Sequence, residues 1–234
     1  MPRLIDCADS GVADVAETVA MLGGEGFDPA DERSHATAAL ALRRLGNNRA
    51  FLGDMLVEGL RERHREIGET SAYGAQAIML ARLPGGHLIR ANIWPSENDA
   101  CFQVSGARSF VYGLPHDHNF SFLTVGYFGP GYESDYYEYD HAETIGYRGE
   151  RPALRFIERC ALSEGKLMLY RAHVDVHAQL PAFHVGLAHH RAQRSEGGVD
   201  RPIWLRSGHR RDYGGAQSYL DRNLPALCRG AGRG

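Results

Sequence analysis

The stretch PHDHNFSFLTVGYF, residues 115–128, decides how this chain is read. Two histidines flank an aspartate and lead into alternating apolar residues, a pattern of strand rather than helix. In extended backbone, residues two apart project from one face, so His116 and His118 point together while Asp117 points away. Phe120, Phe122 and Thr124 share that parity, which sets the imidazole pair at the mouth of a strand with an apolar inner side. On a wet surface such a pair is ordinarily two solvated side chains. Against a dry wall it is a candidate for binding a divalent metal.

Downstream, GKLMLYRAHVDVH (165–177) supplies the missing partner. If this strand is regular, His173, Asp175, His177 and Gln179 share one parity, and at least one of them should face the first pair. Asp175 either accepts a hydrogen bond from an imidazole or pairs with an arginine, and Gln179 is a candidate to bind substrate. Between the two histidine segments, YESDYYEY (132–139) alternates aromatic and acidic residues. That fits a strand in which a buried tyrosine donates a hydrogen bond and Glu133 accepts a proton if it points inward. The spacing leaves open which parity faces in. In LIRANIW (88–94), Arg90 sits among apolar neighbours and needs an anionic partner, either a substrate carboxylate or a protein acid.

The rest of the chain frames this centre. With 234 residues, 43% hydrophobic and 24% charged, it is a folded chain with an ample core. A net charge of -3 gives no field that would draw it onto nucleic acid or acidic lipid. Apolar runs fall short of the roughly 18 to 20 residues a bilayer needs, and the N-terminus lacks a signal pattern, so the expectation is a cytoplasmic protein. Cys7, Cys101, Cys160 and Cys228 form no CxxC pair and read as reduced thiols.

Helical spacing of Val12, Val15, Val19 and Leu22, of Ala39, Leu40 and Leu45, and of Phe51, Leu52, Met55, Leu56 and Leu60 predicts helices over about 11–67, with Asp31 or Ser34 capping the second. From about residue 71 the texture changes to short strands, expected at 75–83, 87–94, 101–104, 109–112, 118–128, 132–139, 154–162, 166–172, 184–191 and 203–206, with a last helix at 215–228. This gives a helical segment 1–70 packed on a β domain 71–212, followed by a helix and tail, 213–234. The histidines other than 116, 118, 173 and 177, among them His35 and His87, read as surface or loop residues.

The order HxH, a Gly-rich hairpin (126–131), Glu133, and a later Gly-led strand ending in histidine resembles the two-part metal motif of the cupins. The resemblance covers about residues 75–191 and implies a mainly β fold, a double-stranded β-helix or jelly-roll barrel. The span from Gly165 to His177, with LIRANIW before the HxH, is similar to thiol dioxygenases of the cysteine dioxygenase type. It implies Fe(II) held by His116, His118 and His177, with Arg90 on the substrate carboxylate. Phe122 and Leu123 stand where the common motif places its glutamate ligand, which matches the three-histidine form, or a cupin that recruits Glu133 or Glu138.

The function so implied is a dioxygenase acting on a small thiol or amino-acid-like carboxylate together with O2; Tyr132 and Glu133 are the candidate catalytic residues, either one the proton-transfer group of the isomerase or lyase alternative. The alternatives are an isomerase or lyase with Zn, Mn or Ni, or a non-enzymatic binding protein. A homodimer is compatible with either.

Overall fold

The computed structural model describes residues 1–23, 27–62, 77–129, 131–145, 147, 150–181 and 202–206. Three helices lead the chain after a short strand β1 (Arg3–Ile5): α1 (Val15–Leu22), α2 (Glu32–Asn47) and α3 (Phe51–Glu62). Asp14 caps α1 in a reciprocal capping box with Glu17, and Asp31 caps α2 by accepting from the Arg33 amide. Their apolar stripes make one core with the sheet beneath: Leu42 and Leu45 of α2 pack with Ile89, Ala91, Leu123, Val125, Leu167 and Leu169.

That sheet has six antiparallel strands in the order β1-β7-β4-β9-β3-β2, where β2 is Ala77–Arg82, β3 Leu88–Asn92, β4 Phe122–Gly126, β7 Leu167–Tyr170 and β9 Pro202–Arg206. A second sheet, in the order β6-β5-β8, joins β5 (Glu133–Glu138), β6 (Arg155–Ala161) and β8 (Asp175–Gln179). The pleat gives the large sheet two interiors. Leu123, Val125, Leu167 and Leu169 face the helices, while Phe122, Met168 and Tyr170 face Tyr136 of the small sheet, with Trp94, Phe110, Tyr112, Tyr132 and Leu162 filling between. The described residues thus form three layers, helices over one sheet over another, and the strands among them do not close into a continuous ring.

Several expected elements differ. Neither of the strands expected at 101–104 and 109–112 forms: the first run lies in the helix α4 (Ala100–Ser105), and the second starts in a 3-10 turn (Ala107–Phe110) and continues as turn through Val111 and Tyr112. Cys101 and Val104 are exposed, so no pleated face holds them, and in four residues apolar content alone does not separate the two forms. The strand expected from His118 begins only at Phe122. His35 and His87, expected at the surface, are buried, the first with Nε2 on the carbonyl of Pro29. Cys7, Cys101 and Cys160 are free thiols. The expected strand at 184–191, the helix at 215–228, Cys228 and the segment boundary near residue 70 lie outside the described residues. Among the described residues no helix is long and apolar enough to cross a membrane.

Candidate metal centre

Two connections cross from one sheet to the other at the same end of the sandwich, and each carries histidine. The segment from Gly113 to His118 runs beside β8 and then enters β4 in the large sheet. The return from β7 turns at residues 172–174 and enters β8 in the small one. His116 and His177 exchange both backbone hydrogen bonds, at 3.0 and 2.9 Å, and the Gly113 N–H donates to the Gln179 carbonyl at 2.8 Å. Gly113 has φ 71°, a left-handed turn that favours glycine and lets the segment swing in beside β8.

The three rings converge. Nε2 of His177 lies 3.1 Å from Nε2 of His116 and 3.2 Å from Nε2 of His118. One nitrogen from each falls in a single cluster less than 4.8 Å across. Nδ1 of His116 donates to the Leu114 carbonyl at 2.8 Å, which fixes the tautomer and leaves its Nε2 lone pair toward the other rings. Burial lowers the pKa of His116. Burial and then repulsion from His116 and His118 push His177 well below the ordinary value. Both imidazoles are therefore neutral at pH 7, the form that binds cations. Nδ1 of His177 is buried with no partner among the described residues.

This donor set fits a metal. Two close N···N contacts can each be bridged by one proton at most, and His116 has no proton to give from Nε2. A single cation would take all three lone pairs at once. Three imidazoles leave open positions on a first-row ion, and the nitrogen-only set suits iron, zinc or nickel better than calcium or magnesium.

The wall around the cluster is aromatic. The His118 ring meets Phe122 edge-on at 4.9 Å and Phe120 at 5.1 Å. Phe122 stacks on Tyr170 at 4.4 Å, and Tyr170 stands 5.0 Å from His177. Tyr136, the register partner of His177, shares a 2.9 Å hydrogen bond with the Tyr170 hydroxyl. Burial raises the pKa of both phenols, so they remain protonated donors.

Behind the histidines Asp117 accepts from the Tyr139 hydroxyl at 2.7 Å and lies 3.7 Å from Nδ1 of His173. Burial works to raise the Asp117 pKa, but His173 and Tyr139 outweigh it and hold the carboxyl below its usual value. The expected regular strand through His173 breaks here. His173 takes φ 59° in the turn before β8, so its ring leaves the parity of His177 and stacks on His141 at 4.4 Å. Asp175 is buried and takes the arginine option, bonding the Arg171 guanidinium at 2.7 and 3.0 Å.

The other residues singled out by sequence are placed as follows. Gln179 and Tyr132 are buried on the inward side, the latter with its ring 5.3 Å from Trp94. Ser134 and Tyr136 are the buried parity of β5, so Glu133 has the other parity, within electrostatic reach of Arg159 rather than toward the histidines. Glu138 bonds Arg155 and Arg171. Arg90 is half-buried on the face of β3 opposite Ile89 and Ala91. It lies in register with Trp204, which in turn pairs with Thr124, so it sits two strand spacings, about 10 Å, from Thr124 on the inward face.

Sequence reasoning did not single out Trp94, Tyr170 or the Tyr139–Asp117 contact. Tyr170 was within reach, since Met168 and Tyr170 share a parity in GKLMLY. The Trp94 and Tyr139 contacts depend on tertiary approach.

No family model matches the sequence, and no curated protein matches it. Among solved structures the chain is similar to a salicylate 1,2-dioxygenase from Pseudaminobacter salicylatoxidans, with 12% identity and TM-score 0.31, over 66% of this chain and 32% of that one. It is also similar to vicilin from Capsicum annuum, with 10% identity and TM-score 0.27, over 68% of this chain and 40% of that one. The chain thus spans about a third of the first protein and two-fifths of the second. At these TM-scores neither likeness assigns a fold or an activity.

Proposed function

We propose that this chain is a cupin-type metalloprotein whose His116, His118 and His177 hold one Fe(II), and that it works as a dioxygenase on a small acid, a thiol or amino-acid-like carboxylate. The observation that carries the reading is the convergence of three Nε2 atoms, those of His116 and His118 lying 3.1 and 3.2 Å from that of His177, in a site where His116 and His177 are neutral. When bound, the metal supplies open positions at which an anionic substrate and O2 can meet.

The chain's own residues do the rest. The Phe120, Phe122 and Tyr170 rings exclude water from one side. Arg90, on the same inward face, is the candidate to orient the carboxylate, and Gln179 to hold the substrate's polar end. The Tyr136–Tyr170 pair, kept protonated by burial, can donate to an anionic oxygen near His177. Tyr132 stands in the inward wall. Tyr136 and Tyr170 act as hydrogen-bond donors that keep their protons, and Glu133, whose parity is outward, takes no part.

The test is anaerobic reconstitution with Fe(II) followed by nitric oxide, an O2 surrogate. A high-spin iron–nitrosyl electron paramagnetic resonance signal in the wild-type protein, lost in His177→Ala, is the expected result. Iron that binds without a nitrosyl signal would contradict an oxygenase site with open positions. The same donor set accepts Zn, Mn or Ni, and the reading fails if only those ions bind.

A further inference from the structure

Lys166 is the only lysine among the 26 basic residues of the chain, all the others being arginine. Its ammonium lies on a sulfur. Nζ donates to Sγ of Cys160 at 3.3 Å and to the Ala161 carbonyl at 2.9 Å. The Glu158 carboxylate, two residues before Cys160 on the same strand, bears on the same thiol. An amine, a thiol and a carboxylate thus meet where β6 turns toward β7, and none of them belongs to the histidine cluster.

The turn holds this meeting in place. At its start the Leu162 N–H donates to the Tyr132 carbonyl at 3.1 Å. At its end the Gly165 N–H donates to the Gly126 carbonyl at 2.7 Å, and the Gly126 N–H to the Lys166 carbonyl at 3.0 Å. Gly165 takes φ 75°, and Glu164 is paired with Arg49 of the helical layer. Cys160 packs against the aromatic cluster between the sheets but is only half-buried, open to a small solute.

An arginine could make the same hydrogen bond to sulfur without the same chemistry. Guanidinium keeps its proton in proteins, whereas a lysine that has lost one is a nucleophile. Burial is the largest influence on the Cys160 thiol and raises its pKa. Lys166 opposes that shift and Glu158 adds to it, so the sulfur is a thiol at neutral pH and grows more reactive as the pH rises.

We propose that Cys160 and Lys166 form a reversible redox bridge, in which a hydroperoxide oxidises the sulfur and the lysine amine then closes an S–N bond. In the first step the sulfur attacks the peroxide. An S–O bond forms, the O–O bond breaks, and water leaves with the thiol proton; sulfur loses two electrons and the peroxide gains them. In the second, Lys166 has released a proton to solvent and its lone pair attacks the sulfur. The S–N bond forms, the S–O bond breaks, and the hydroxyl leaves as water with a proton of the amine. One thiol, one amine and one hydrogen peroxide give one sulfenamide and two waters. A dithiol reverses the bridge, returning thiol and amine as it closes its own disulfide. The bridge keeps Cys160 at a recoverable stage of oxidation and ties the end of β6 in the small sheet to the start of β7 in the large one.

The test treats the full-length protein, with no iron added, with hydrogen peroxide and weighs its tryptic peptides. Trypsin cleaves after Arg159, Lys166 and Arg171, so the reduced protein yields residues 160–166 as one peptide. A bridged Lys166 resists cleavage. The product expected is residues 160–171, two hydrogens lighter than the sequence and restored by dithiothreitol, with fragmentation separating changes at Cys160 from oxidation of Met168. It should form faster at alkaline than at neutral pH.

Lys166→Arg keeps the charge and removes the nucleophile. In this variant the light peptide should be lost, and Cys160 should instead gain two oxygens as a sulfinic acid that dithiothreitol does not reduce. Should the variant not fold, reductive methylation of the folded wild-type protein decides, because a tertiary amine at Lys166 closes no neutral S–N bond and should give the same sulfinic product. The proposal is overturned if the light peptide is missing from the wild-type protein or persists in Lys166→Arg. It is overturned equally if the two hydrogens are lost to a disulfide of Cys160 with Cys7, Cys101 or Cys228.

Discussion

Leu123 and Val125 of β4 lie against α2 in an interior made largely of aliphatic side chains, whereas Phe122 and Thr124 of the same strand face tyrosines, a tryptophan and histidines. The division repeats along the sheet, with Leu167 and Leu169 against Met168 and Tyr170, and Ile89 and Ala91 against Arg90 and Asn92. The helix side satisfies its needs by burying apolar area. The sandwich side buries Thr124, Trp94 and Gln179 polar atoms that find no partner among the described residues. One face stabilises the sheet, and the other spends part of that stability to keep a polar, aromatic interior in place.

The comparison can be broken at either face. Leu42→Ala, on the fully buried helix side, should cost about 2–5 kcal/mol in denaturant unfolding and leave metal bound per folded molecule unchanged. A loss of metal affinity along with that stability would show that the two faces are not independent.

Asp117→Asn and Tyr139→Phe act from behind the histidines, on the segment that aims His116 and His118. Each should weaken metal binding by about 10- to 100-fold in equilibrium titration while changing the melting temperature little. Thr124→Val removes an unpartnered buried hydroxyl at nearly constant volume and should stabilise the ligand-free protein by up to about 1 kcal/mol. Destabilisation instead would mean that the hydroxyl has a structural partner.

The smallest effect expected is pH-dependent. Burial holds His116 and His177 below the ordinary 6.5, so as pH falls through that value the unfolded chain takes up protons that the folded one does not. The metal-free protein should therefore lose stability from about pH 6.5 downward, and His177→Gln should flatten that slope.

Much of this was legible in sequence because it depends on period. Alternation in HNFSFLTVG gave the inward face of β4, and HxH spacing put two imidazoles on one side. What period could not supply was the break at His173. A left-handed residue before β8 moves that ring out to Asp117 and His141 and leaves His177 to complete the centre. Nor could it give the parity of β5, since YESDYYEY alternates equally well either way and only packing against Phe122, Met168 and Tyr170 turned Tyr136 inward and Glu133 out. The runs at 101–104 and 109–112 failed for want of length, being too short for apolar content to separate strand from helical turn.

The central claim is that one ion sits among three imidazoles. Equilibrium dialysis of the wild-type protein and of His116→Ala, His118→Ala and His177→Ala against Fe(II) under anaerobic conditions tests it most directly. About one iron per wild-type chain and near none in each folded variant is the result expected, since each ring supplies one of three ligands. Wild-type protein that holds no iron, or an alanine variant that holds as much as the wild type, would contradict it.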